Sequence, residues 1–147
     1  MEIIANTLEF YLKEKTAAAI GKFDGIHMGH RKLLGEILSR KQDGMSACVF
    51  TFDPAPAVFF KAQDARELTV KEEKRLLFER MGVDILVEFP LNHVTAGMPP
   101  EEFVSQVLAR RMNVGFLAAG RDLSFGAGGA GNAELLWRMG SKLGFNV

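Results

Sequence analysis

Apolar residues in this chain fall either into short unbroken runs or into positions three and four apart, and the two patterns take turns. Thr16–Ile20 is a short run of small apolar residues and predicts a buried strand. Residues 30–41 place Leu33, Leu34, Ile37 and Leu38 on one helical face, and Asp43-Gly44 supplies a stop. Residues 45–52, rich in Val and Phe, predict a second strand, after which Pro54 and Pro56 impose a stiff turn. Thr69 and Glu72 have capping-box spacing and open a helix with Leu76, Leu77 and Met81 on one face and Gly82 behind it. Residues 83–89 predict a third strand. Pro99-Pro100-Glu101-Glu102 reads as a helix start, with proline in the first turn and acids at the positive end of the dipole. Phe103, Val107 and Leu108 form its apolar face. Val114–Ala119 predicts a fourth strand, and residues 132–143 a fourth helix in which Trp137 is assigned to packing. Phe145-Asn146-Val147 has the character of a fifth strand opening.

Strands alternating with helices predict a three-layer α/β fold, a doubly wound parallel sheet covered on both faces. Ligands bind such sheets beyond the carboxyl ends of the strands. Residues 21–30, 52–60 and 120–132 follow three predicted strands and should meet at one crevice. The chain has 147 residues, 48% of them hydrophobic and 24% charged, which suits one globular domain with a real core. Its 18 basic and 18 acidic residues cancel, so charge points to neither a nucleic-acid nor a membrane partner. No run approaches the ~20 apolar residues of a bilayer span, and Met1-Glu2-Ile3-Ile4 lacks the basic-then-apolar pattern of a secretion signal. A cytoplasmic location is expected. The one cysteine, Cys48, lies in an apolar run, which predicts a buried, inert thiol.

The strongest chemical signal is His27-Met28-Gly29-His30, inside a stretch with glycines at 21, 25 and 29. It lies where the first strand hands over to the first helix. A helix N-terminus presents unpaired N–H groups and partial positive charge to anions. Two imidazoles there can add hydrogen bonds to phosphate oxygens; two capping or solvent-facing histidines are the plainer reading. A zinc site needs three protein ligands, and the remaining histidine, His93, is predicted in another loop. No GxxxxGK[ST] phosphate loop is present, and no serine or cysteine nucleophile has a base at recognisable spacing. Gly126 to Gly131 matches GxGxxG literally, yet too little chain follows for a dinucleotide site. It reads as a flexible ligand loop or as an ordinary surface loop. Asp122 before it could accept from a ribose or an adenine amine, or could stabilise a turn. Phe59, Phe60, Phe103 and Phe125 could each be core; Phe60 and Phe125, in loops bounded by proline or glycine, are the better stacking candidates.

Four segments carry a family resemblance: IGKFDGIHMGHRKLL at 20–34, TFDPAP at 51–56, LTVKEEKRLLFERMGVDILVEF at 68–89 and GRDLSFGAGGAGNAELL at 120–136. Together they resemble the FMN adenylyltransferase domain of prokaryotic bifunctional FAD synthetase, the riboflavin kinase/FMN adenylyltransferase. HxGH alone indicates only the wider nucleotidyltransferase superfamily with its Rossmann-like fold; the FDP-x-P and GRDxxFG segments narrow it to the flavin branch. The resemblance implies transfer of AMP from ATP to FMN, giving FAD and pyrophosphate, with Mg²⁺. It implies catalytic roles for His27 and His30 on the ATP phosphates, and an ATP site built from Gly21, Phe23, Asp24, Gly25, His27, Gly29, His30, Asp122, Gly126 and Asn132. It implies a flavin pocket shaped by Pro54, Pro56, Phe60, Phe103 and Phe125. No protein ligand for a metal stands out. The chain departs from the family at Leu123 and Ser124, where an aromatic residue and an arginine are usual, and at Ala55, where histidine is usual. Residues 1–147 are expected to be the adenylyltransferase domain without its C-terminal part. The riboflavin kinase domain, covalent or associated, is the implied partner. The alternative is a non-catalytic flavin- or nucleotide-binding module; a cytidylyl- or pantetheine-type relative would share HxGH but leaves FDPAP unexplained.

Overall fold

The computed structural model describes residues 1–21, 23, 28–53, 71–120 and 123–147, the side chains of residues 28–30 excepted. These form a five-stranded, fully parallel sheet in the order β1-β4-β3-β2-β5, from β1 (Glu2–Ala5), β2 (Thr16–Ile20), β3 (Ser46–Asp53), β4 (Ile85–Pro90) and β5 (Val114–Ala119). The α/β prediction holds. β1 was missed by the pattern. It is a four-residue edge strand with two exposed and two half-buried residues, so it offers no buried run to detect. The strand expected at the C-terminus is a single bridge. Asn146 lies parallel to Phe116, accepting from the Leu117 N–H (2.7 Å) and donating to the Gly115 carbonyl (3.1 Å).

Side-chain alternation along the strands builds two separate cores. Ala17, Ala19, Ala47, Val49, Leu86, Phe116 and Ala118 face one way. They meet α1 (Met28–Ser39) through Leu34 and Ile37, and α2 (Lys71–Met81) through Phe78. Within α2 the predicted face shifts. Leu76 is 48% exposed, whereas Phe78 and Lys74 are buried. Ala18, Ile20, Cys48, Phe50, Val87, Phe89 and Leu117 face the other way. There they pack on α4, which begins with Pro100–Glu102 and widens into Phe103–Arg111, and on α5 (Ala133–Leu143). The wider winding of α4 closes with the Met112 N–H donating to the Val107 carbonyl five residues back. Its predicted apolar face is right: Phe103, Val107 and Leu108 are all buried, with Val104 beside them.

Two local expectations change. Trp137 is 70% exposed, because Leu135 and Leu136 already take the buried side of α5. His93 opens a one-turn helix, α3 (His93–Ala96), whose capping box is closed by Asn92 and Thr95. The Thr69–Glu72 capping box lies partly outside the described residues, and α2 is first seen at Lys71. Cys48 is fully buried, and desolvation pushes its thiol far above the ordinary thiol range, so it is an inert core residue.

Candidate functional site

The winding of the sheet sets where a ligand can sit. From β2 the chain steps outward to β3 and then β4, and afterwards crosses back to lay β5 on the other side of β2. The direction reverses between β2 and β5, and such a switch point leaves a crevice at the carboxyl ends. Ile20, the last residue of β2, pairs with Phe50 of β3 and Ala119 of β5. The exits of these three strands are therefore neighbours. The segments that sequence reasoning expected to converge leave from adjacent points on one rim.

α1 begins at this rim and packs against β2 and β5. Gly29 and His30 lie in its first turn, where backbone N–H groups have no partner within the helix. His27, Asp24 and Gly25 lie outside the described residues, as do Asp122, Pro54, Pro56, Phe59 and Phe60. Just after β2, Gly21 donates to the Phe50 carbonyl (3.3 Å), and Phe23 takes a left-handed backbone at φ 51°. A bulky residue in that region is strained and is held by its surroundings. The Phe23 ring is fully buried, edge-on to Phe78 at 5.6 Å between centroids. A Cβ on Gly21 would lie 2.9 Å from that ring. Gly21 and Phe23 thus act by packing: they bend the chain between β2 and α1. Among the described atoms, neither offers a side-chain polar group to a nucleotide.

The glycine-rich segment after β5 is a closed turn rather than an open loop. Phe125 and Gly131 exchange backbone hydrogen bonds of 3.2 and 2.8 Å, and the Ala127 N–H donates to the Met98 carbonyl (2.8 Å). Gly126 has φ 76°, and a Cβ there would meet Pro100 at 2.8 Å. Gly131 has no room either, since a Cβ would lie 2.4 Å from the Phe125 ring. The segment therefore seals the start of α4. Asn132 caps α5, its side-chain oxygen accepting from the Leu135 N–H at 2.9 Å.

Phe103 and Phe125, each 3% exposed, lie 5.3 Å apart within a set of phenylalanines that includes Phe50, Phe52 and Phe89. Phe52, at the end of β3, is half-buried and lies parallel to Phe103 at 6.3 Å. In the described structure Phe103 and Phe125 are core residues at the rim, closed off from solvent.

A charged group on the other face went unpredicted. Glu88 sits beside Thr51 in β4, 5% exposed, and both its oxygens accept from Arg75 of α2, the Nε bond being 2.9 Å. Asp53 accepts from Lys71 Nζ at 2.7 Å. Hydrogen bonds to these carboxylates, ahead of all other causes, raise the pKa of Arg75 and of Lys71 above their ordinary values. The signal was available in Ile85-Leu-Val-Glu88-Phe-Pro90: one carboxylate inside an otherwise apolar buried strand requires a cation from a neighbouring element. Among the described residues no cluster of three or more His, Cys, Asp or Glu could hold a metal ion. Nor, among them, is any helix long and apolar enough to cross a membrane.

A family model described as FAD synthetase matches residues 10–147. The chain belongs to the FAD synthetase family. It is 33% identical over 137 residues to the bifunctional riboflavin kinase/FMN adenylyltransferase of Escherichia coli K12, covering 92% of this chain and 44% of that protein. The Bacillus subtilis protein of the same description is 31% identical over 125 residues, covering 83% of this chain and 39% of its own length. The chain thus spans less than half the length of these family relatives. A solved structure described as a macrolide-efflux protein from Streptococcus pneumoniae superimposes with a TM-score of 0.80 over 99% of this chain and 48% of its own, at 23% identity. That likeness establishes the FAD synthetase module's fold and nothing about its chemistry.

Proposed function

We propose that this chain is an FMN adenylyltransferase module that transfers AMP from ATP to the phosphate of FMN, releasing pyrophosphate and forming FAD. The observation that carries the reading is the start of α1, with Gly29 and His30 in its first turn, at the switch point of a parallel sheet in a FAD synthetase family member. Unpaired N–H groups and the helix dipole there favour a triphosphate. In this reading His27 and His30 hold phosphate oxygens and stabilise the charge that develops on the leaving pyrophosphate. Asp122 orients the nucleotide, and the turn through Gly126 and Asn132 bounds its pocket. Pro54, Pro56 and Phe60 line the flavin side, with Phe103 and Phe125 as its aromatic backing.

FMN brings its own nucleophile, a phosphate already ionised at neutral pH, so the protein need not supply a general base. Positioning the two phosphates in line and neutralising charge carry the reaction. Mg²⁺ would supply charge neutralisation on the triphosphate. Among the described residues no cluster of ligands is set for it, and the Asp53 carboxylate is engaged by Lys71. A riboflavin kinase domain, as in the relatives' names, is the proposed partner, and the cytoplasm the proposed location. The test is FAD and pyrophosphate formation from FMN, ATP and Mg²⁺ by the protein in its natural length. Turnover supports the reading; binding of FMN or ATP without pyrophosphate release replaces it with a non-catalytic binding module.

A further inference from the structure

Charge gathers at one point of the carboxyl rim, beside the switch point but on the side away from β5. Thr51, Phe52 and Asp53 end β3, and with Glu88, Lys71 and Lys74 they line a small cavity of about 20 Å³, room for roughly one water molecule. Thr51, Glu88 and Lys74 are buried, whereas Asp53, Lys71 and Arg75 are partly exposed, so the group runs from the interior out to the rim. Two ion pairs run across it from α2 to neighbouring strands. Arg75 grips Glu88 with two bonds, fixing α2 to β4, and Lys71 holds Asp53, fixing the first turn of α2 to the last residue of β3.

The second pair ties together residues 53 and 71, the two ends of the connection that leaves the rim next to β2. A connection of that length could end in many relative placements; the Asp53–Lys71 contact selects one. Because β5 and its glycine turn bound the crevice on one side of β2, the exit of β3 bounds it on the other. If the nucleotide phosphates occupy the first turn of α1, the substrate that attacks them approaches along this second side.

We propose that the Asp53–Lys71 ion pair, braced by Arg75–Glu88, is a positioning device for the flavin substrate, setting the exit of β3 while leaving nucleotide binding to the β2–β5 side. This rests on the adenylyltransferase reading. Asp53 and Lys71 act through backbone placement, and neither touches the reacting phosphates.

The experiment compares wild type with Lys71→Gln, with the conservative Lys71→Arg, and with the reversed pair Asp53→Lys/Lys71→Asp. FMN affinity is read by quenching of flavin fluorescence, ATP affinity by calorimetry, and kcat and KM by pyrophosphate release. Lys71→Gln is expected to weaken FMN binding and raise its KM about two- to threefold, the size set by one screened, partly exposed ion pair. ATP affinity and kcat stay unchanged, Lys71→Arg stays near wild type, and the reversed pair recovers much of the loss. Unchanged FMN affinity in Lys71→Gln overturns the proposal. So does a matching fall in FMN and ATP affinity, which is general loosening. Wild type that binds FMN without releasing pyrophosphate removes the catalytic reading but leaves the affinity comparison decisive. Wild type that does not bind FMN overturns both.

Discussion

The two faces of the sheet end differently at the carboxyl rim. Under α1 and α2 the sheet mixes Ala17, Ala19, Ala47 and Ala118 with Val49, Leu86 and Phe116, and finishes in charge with Glu88–Arg75 and Asp53–Lys71. Under α4 and α5 it finishes in rings: Phe50, Phe52, Phe89, Phe103 and Phe125, with neighbouring centroids 5.2–6.4 Å apart. On the first face α1 starts at the rim, and its unpaired first-turn N–H groups suit an anion. On the second the rings are buried except for half-buried Phe52, so that face ends as closed apolar core.

The largest expected effect breaks the charged side of this comparison. Replacing His27 by Ala should lower kcat for FAD formation roughly 10²–10³-fold, the usual loss when one donor to developing charge is removed. The melting temperature should stay unchanged; retained turnover in a folded variant would remove the proposed role. Next comes Arg75→Ala, which leaves the Glu88 carboxylate buried without its fork. The expected cost is about 3 kcal/mol in urea unfolding. Replacing both Arg75 and Glu88 by apolar residues should recover much of that loss, since the penalty lies in the orphaned charge.

The aromatic side can be probed through the turn that seals it. Gly126→Ala forces a side chain against Pro100 at 2.8 Å in a left-handed backbone, and should cost about 1–3 kcal/mol. Gly128 has a similar φ of 64° but open space around it, so Gly128→Ala should cost about 1 kcal/mol. Equal losses at the two positions would mean that backbone strain alone, and not closure onto α4, shapes the turn.

What the sequence disclosed follows the same division. Buried runs such as Thr16–Ile20 and Val114–Ala119 announced strands, because a parallel strand covered on both faces has no polar positions to blur it. Glu2–Ala5 did not, since two of its four residues are exposed and the other two only half-buried, too little to leave a pattern. HxGH was legible because glycines and histidines rarely crowd without cause, and the family match bears out the resemblance read there. Phe125 read as a stacking candidate by its loop context and Phe103 as the apolar face of a helix; in the fold both are buried. Phe125 packs on Phe103 and closely over Gly131, contacts that local sequence does not announce. Glu88 called for a cation without naming it, and the Glu88–Arg75 and Asp53–Lys71 pairings join residues 13 and 18 positions apart, respectively, that only the docking of α2 onto the rim brings together.

Those two pairs should separate under alkali, which gives the smallest but sharpest test of how the charged face is built. The Lys71 pKa lies above the ordinary 10.5 because its ammonium donates to Asp53. A raised folded pKa means the pair contributes fully below about 10.5, and that contribution is lost as pH climbs through the folded value. Lys71 is 40% exposed, so screening holds the effect to about 0.5 kcal/mol. Arg75, whose guanidinium is pushed further up by its hydrogen bonds to Glu88, keeps its charge throughout this range. The stability gap between wild type and Lys71→Gln should therefore close as pH climbs above about 10.5, while the gap between wild type and Arg75→Ala stays open. If both gaps close together, the two pairs behave as one coupled network, and α2 is held to the rim as a unit instead of by two separable contacts.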